Sequence, residues 1–76
     1  MEEALKTIIS SLVNDVDAVS ISQREEEGFT VFEVKVAEGD MGKVIGKEGR
    51  IAKAIRTIMK AISSKENKKI SIEFIG

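Results

Sequence analysis

Two apolar stripes of identical spacing constrain this chain more than any other feature. Leu5, Ile8, Ile9, Leu12, Val13 and Val16 fall at i, i+3, i+4, i+7, i+8 and i+11, and Ile51, Ala54, Ile55, Ile58, Met59 and Ile62 repeat the series. Each series predicts an amphipathic helix, one over residues 2–16 and one beginning after Gly49. Glu2 and Glu3 sit in the first turn of the first, where carboxylates favour the positive end of the helix dipole. An apolar helical face must be buried against a second layer, and the rest of the chain supplies one. Val19 and Ile21 alternate with Ser20 and Ser22, Phe32, Val34 and Val36 with Glu33 and Lys35, and Ile70, Ile72 and Phe74 with Ser71 and Glu73. Period two marks a half-buried strand. The turn Glu25-Glu26-Glu27-Gly28 joins the first two strands as an antiparallel hairpin. Its three glutamates repel nucleic acid and discourage edge pairing.

Between the second strand and the second stripe the chain is broken up. Glu38-Gly39-Asp40 reads as a turn with Asp40 as an N-cap, Met41 to Ile45 as a short helix stopped by Gly46, and Ser63 to Lys68 as a polar connection. The order helix, strand, strand, short helix, helix, strand predicts an α+β sandwich of two layers, with the helices on one face of a three-stranded sheet. A length of 76 residues is one domain, spanning 1–76.

The chain has no cysteine and no histidine. That removes disulfides, zinc–thiolate sites, the cysteine nucleophile and the commonest general base and metal ligand. The acids cluster at the hairpin tip, where no apolar pocket raises a pKa. The expectation is a protein that is not an enzyme and takes no cofactor, metal or small-molecule substrate. No apolar run approaches the ~20 residues that span a bilayer, and the start Met1-Glu2-Glu3 does not read as a signal peptide. A cytoplasmic protein with no membrane partner is expected.

Net charge is −1, but the charge is segregated. Residues 41–69 carry nine Lys or Arg against Glu48 and Glu66, a window of +7, and the remainder is −8. One cationic face for a polyanion and one solvated acidic face follow from such a division. Within the cationic window lies Val44-Ile45-Gly46-Lys47-Glu48-Gly49-Arg50-Ile51. Gly46 is suited to a positive φ that ends the short helix, and Gly49 to a close approach of another backbone where the next helix begins. The amides at that helix start favour a phosphate, and Lys47 and Arg50 add point charge. Two other phosphate motifs fail. A Walker A loop needs a glycine at position 41 and Ser or Thr at position 48, where Met41 and Glu48 stand, and Gly42, Gly46 and Gly49 do not make a dinucleotide fingerprint.

The glycine-bracketed bend between two helices, framed as Val-Ile-Gly-Lys-Glu-Gly-Arg-Ile, resembles the GxxG loop of a KH domain. The extra helix and strand ahead of it resemble the type II arrangement, α-β-β-α-α-β with a mixed sheet, and the whole chain resembles the small stand-alone bacterial KH proteins of the KhpA type. The resemblance implies single-stranded RNA as the partner, about four nucleotides held with the loop against the backbone. Gly46, Lys47, Glu48 and Gly49 are then the loop, with Ile45, Arg50, Ile51 and Lys53 beside it and Lys43 and Arg56 as further cations. The implied groove floor is Val44, Ile45, Ile51 and Ala54, with Val34 or Val36 from the strand; for Val34, Val36 and Ala54 a core role is the stronger reading. Glu48 weakens phosphate binding and points to low sequence specificity, as expected of an RNA chaperone or post-transcriptional regulator. Surface aromatics for base stacking, as in RRM or OB folds, are scarce: Phe32 and Phe74 read as core and Phe29 as one exposed ring. The family also implies a homodimer, or a heterodimer with a larger KH-domain protein, for which Ile75 or Met41, apolar and off the stripes, are candidates. Adapter and ribosome-associated assembly roles follow from the same resemblance.

Overall fold

The computed structural model describes residues 1–75. Its elements are α1 (Glu2–Leu12), β1 (Ser20–Glu26), β2 (Phe29–Lys35), α2 (Met41–Ile45), α3 (Arg50–Lys65) and β3 (Ile70–Ile75). The sheet order is β1-β2-β3. β1 and β2 pair antiparallel, with Ser20 opposite Lys35 and Glu26 opposite Phe29, and β2 and β3 pair parallel, with Thr30 opposite Ile70 and Lys35 opposite Ile75. The sheet is therefore mixed, and α2 and α3 form the crossover that a parallel pair requires. Glu27 and Gly28 turn the hairpin with φ of 51° and 86°. Two positive values in a two-residue loop suit the twist of paired strands.

The helices cover one face of the sheet. Leu5 and Ile9 of α1, Ile55 and Met59 of α3 and Val44 of α2 close over Phe32, Val34, Ile70 and Ile72. Full burial of each such side chain contributes about 1.5–3 kcal/mol. On the open face, Arg24 reaches across all three strands to Glu26, Glu33 and Glu73. Those carboxylates, Glu26 foremost, raise the guanidinium's pKa above its ordinary value.

Two expectations about the stripes are corrected. The first helix ends at Leu12 instead of running to residue 16: Val13 is extended and buried, and Val16 is exposed in a short 3-10 turn. The cause is Asp40. Its Oδ2 accepts the backbone N–H of Asp15 at 2.9 Å and of Asn14 at 3.2 Å, and its Oδ1 accepts from Lys43 Nζ at 3.2 Å. Amides that would have continued the helix are drawn to a carboxylate 25 residues further along the chain. Asp40 does stand before α2, but its side chain does not cap that helix. The second stripe is rotated. Ala52, Ile55, Met59 and Ser63 are buried, whereas Ala54 and Ile58 are exposed. Ser63 is buried at no loss because its hydroxyl donates to the Lys60 carbonyl at 2.9 Å. Its own carbonyl accepts the N–H of Lys68 at 2.9 Å, beside Asn67 at φ 55°, the arrangement of a left-handed helix C-terminus.

Asp40 is 4% exposed, and the N–H of Asp15 first, then that of Asn14 and the Lys43 ammonium, hold its carboxyl below the ordinary 3.8. Asp40→Ala strands two amides and is expected to lower the melting temperature by about 10 °C. A folded-state pKa below the unfolded one stabilises at pH above the unfolded value and is lost as pH falls through the folded value. The difference in melting temperature between the wild type and Asp40→Asn should therefore be full at pH 7 and shrink below about pH 5; thermal melts across that range check it.

Candidate nucleic-acid interface

The segment between α2 and α3 is built from three residues at positive φ. Gly46 ends α2 at φ 76° and ψ 177°, and its N–H returns to the Gly42 carbonyl at 2.9 Å. Lys47–Gly49 make one 3-10 turn in which Glu48 has φ 57° and Gly49 φ 73°. The Gly49 N–H donates to the Gly46 carbonyl at 3.3 Å. α3 then runs 16 residues with no side-chain cap and no acid in its first turn. The positive end of its dipole and its first amides thus face a bend that carries Lys47 and Arg50, both exposed. Arg50 lies 3.8 Å from Glu48, an exposed pair worth little by itself.

Gly46 has the positive φ expected of it and ends α2, but the close approach expected at Gly49 falls at Gly46 as well. A Cβ on Gly46 would lie 2.6 Å from Ile51 Cγ1 and 2.9 Å from the Ile51 backbone nitrogen, so the close approach is at Gly46. Gly49 has open space around it and is needed for its left-handed φ alone.

The other sequence-nominated residues divide. Ile45 and Ile51 are half-buried, packed against the core on either side of the bend. Lys53 is exposed on α3, as is Ala54, against the expectation that Ala54 is core. Val44 has no exposed surface, and neither does Val34, while Val36 keeps 7%. All three serve the core, so Val44, Val34 and Val36, the last just past the end of β2, offer no floor to a ligand. Lys43 is half-buried with its ammonium turned to Asp40. Arg56 leaves the bend and reaches β3, where its Nε donates to the Ile72 carbonyl at 3.3 Å and its guanidinium lies 5.4 Å from the centre of the Phe74 ring.

That contact reveals a strip which sequence reasoning missed. β3 is an edge strand. Thr30 N–H donates to the Lys69 carbonyl at 2.9 Å, so the backbone groups of Lys69, Ser71 and Glu73 turn to β2, and those of Ile70, Ile72 and Phe74 turn to the free edge. Between that edge and α3 lies a cleft of about 250 Å³ lined by Arg56, Lys60, Ile70, Ser71, Ile72 and Phe29. Lys53, Arg56 and Lys60 recur at i, i+3 and i+7 and so share one flank of α3, a cationic rail from the bend along the edge strand. The alternation in 70–74 signals a strand but not that it ends the sheet. A larger cleft, about 690 Å³, lies beyond the far end of α3 among Met1, Glu2, Gln23, Glu25 and Asn67–Ile70. It is mixed in charge and holds no residue of the bend.

The model of the family "KhpA/KhpB, KH domain" matches residues 2–74. This chain belongs to that family. Among its relatives, the RNA-binding protein KhpA of Clostridium acetobutylicum is 53% identical over 75 residues, 99% of this chain and 100% of that protein. The RNA-binding protein KhpA of Caldanaerobacter subterraneus is 49% identical with the same coverage, and that of Listeria monocytogenes is 45% identical over 99% of each chain. No solved structure matches the chain. The KH fold expected from the glycine-bracketed bend is the fold observed. Among the described residues no helix is long and apolar enough to cross a membrane.

Proposed function

We propose that this KH domain holds single-stranded RNA, with the sugar–phosphate backbone on the Gly46–Gly49 bend and the bases along the free edge of β3, and does no chemistry on it. The observation that carries the reading is the coincidence of the bend, an uncapped α3 N-terminus and Lys47 and Arg50 at one end of a cationic rail that runs beside the outer edge of β3. Phosphates meet amides and charge at the bend, and base edges meet the outward N–H groups of Ile72 and Phe74 and the Phe74 carbonyl, the Ile72 carbonyl being taken by Arg56. The ring of Phe74 and the aliphatic side chains of Ile45 and Ile51 offer apolar contact. Nothing on this path reads base identity with a bidentate side-chain pair, so binding of low sequence specificity, suited to an RNA chaperone or post-transcriptional regulator in the cytoplasm, is the expected behaviour. The RNA-binding names of the full-length relatives support the same reading.

A second reading, an adapter that pairs with its own kind or with a larger KH partner, is favoured by Ile58. It is 47% exposed on the outer flank of α3 beside exposed Ala54 and Ala61, whereas Met41 packs on the core and Ile75 is 41% exposed on β3. One titration tests both. Short oligouridylates added to labelled protein should move the amide resonances of residues 45–51 and 72–74, with a log–log salt slope near −0.7 per phosphate held. Shifts confined to the acidic sheet face, or none, would overturn the RNA reading. Concentration-dependent shifts at Ala54, Ile58 and Ala61, insensitive to salt, would support pairing.

A further inference from the structure

Phe29 separates two clefts of opposite charge. On one side is the 250 Å³ cleft with Arg56 and Lys60. On the other is a cleft of about 250 Å³ with Glu26, Glu27 and Glu73. The ring is 43% exposed, unusual for a phenylalanine in a chain with three, and Lys69 Nζ stands 6.0 Å from its centre. The cationic rail on α3 that begins at the bend ends at this cleft: Lys60 is eleven residues past Gly49, about 16 Å along the helix axis. Phe74 with Arg56 and Phe29 with Lys69 therefore place one ring-and-cation pair on each side of the β3 edge, the first toward α3 and the second at the rim of the open face.

We infer that Phe29 is a second RNA subsite, a stacking platform for a base downstream of the nucleotides held at the bend, with Lys60 and Lys69 meeting the adjoining phosphates. The inference rests on the RNA reading above and extends its footprint to the hairpin end of the molecule. Three features converge on it. An exposed ring stacks any base irrespective of sequence, which suits a site without base-specific side chains. The charge on the two sides of the ring sets the approach. A polyanion is attracted from the α3 side by Arg56 and Lys60 and repelled from the other by Glu26, Glu27 and Glu73, whose charge Arg24 offsets only in part, so the strand rounds the β3 edge as far as the ring at the rim of the open sheet face and goes no further across it. The outward backbone groups of Ile70 and the Ile72 N–H continue the hydrogen-bonding edge between the two rings, so nucleotides between bend and platform are not left without partners.

The test compares variants at two oligonucleotide lengths. Four uridines fill the bend and its adjoining groove, and eight reach the platform. Phe29→Ala should bind the tetramer as the wild type does and the octamer about tenfold more weakly, within the range for one base on one ring. Comparison of variants at equal length cancels the extra registers open to the longer strand. Lys60→Ala should lower the salt slope for the octamer alone, by about 0.7. Since the chain has no Trp or Tyr of its own, Phe29→Trp provides a single fluorophore, expected to restore octamer affinity and to be quenched by the octamer and not by the tetramer. Equal octamer affinity for the wild type and Phe29→Ala, or an unquenched Phe29→Trp that binds normally, would overturn the platform while leaving the bend intact. Failure of the wild type to bind either length would overturn both.

Discussion

Lys47→Asp combined with Glu48→Asp should abolish measurable RNA binding while leaving the circular dichroism spectrum and melting temperature near those of the wild type. The two side chains point into solvent and touch nothing in the core, so the change is electrostatic. Replacing an ammonium by a carboxylate changes the charge by two units beside the phosphates. At about 1 kcal/mol per unit pair at 4 Å in water, affinity falls by about 30-fold at minimum, and further where the bound strand excludes solvent. The backbone tolerates both replacements. Glu48 already occupies the left-handed region at φ 57°, which Asp adopts more readily than most residues, and Lys47 is not among the residues at positive φ. The substitution leaves Gly46 and Gly49 in place and so separates the charge of the bend from its shape. Fluorescence anisotropy with a labelled oligouridylate reads the loss. Binding unchanged in this variant would mean that the phosphates are held elsewhere.

The parts of the fold legible in the sequence are those that depend on local period. The alternations at 32–36 and 70–74 mark β2 and β3, although β2 begins at Phe29 and stops before Val36, and the bend at 46–49 lies between two helices as its glycines and charges indicate. What failed depended on partners distant in sequence. The first helix stops at Leu12 because Asp40 takes the amides of Asn14 and Asp15, and no pattern in residues 2–16 records that. Ala54 and Ala52 are indistinguishable by residue type, and only the placement of α3 between the sheet edge and α1 decides that Ala52 is buried. Val34 and Val36 are core, as the stronger reading of them had it, since they lie on and just past the central strand under the helices; of the expected floor it is Val44 that the core removes. The accessible apolar and hydrogen-bonding surface belongs to β3, whose edge position follows from sheet order. Arg56, read as a helix-surface cation, is fixed to that edge through the Ile72 carbonyl.

Gly46→Ala is expected to damage stability far more than Gly49→Ala, although both remove a glycine from the same bend. At Gly46 two penalties combine. Its φ of 76° with ψ of 177° lies in a region almost confined to glycine, costing a substituted residue about 1–3 kcal/mol. The added Cβ also meets the side chain and backbone nitrogen of Ile51 at 2.6–2.9 Å, an overpacking that costs about 1–3 kcal/mol more. Together these lower the melting temperature by about 15 °C or more, a large part of the margin of a domain this size. At Gly49 only the left-handed φ of 73° opposes a side chain. An alanine there costs about 1–2 kcal/mol, or roughly 5–10 °C. Replacement by valine raises both losses in the same order. Relief of the Gly46 clash needs Ile51 to move, and Ile51 lies in the first turn of α3, so the variant that remains folded should also displace the first amides of that helix and bind RNA weakly, whereas Gly49→Ala should retain most of its affinity. Equal losses of stability for the two alanine variants would mean that α2 and α3 meet at a looser angle than the contact between Gly46 and Ile51 requires.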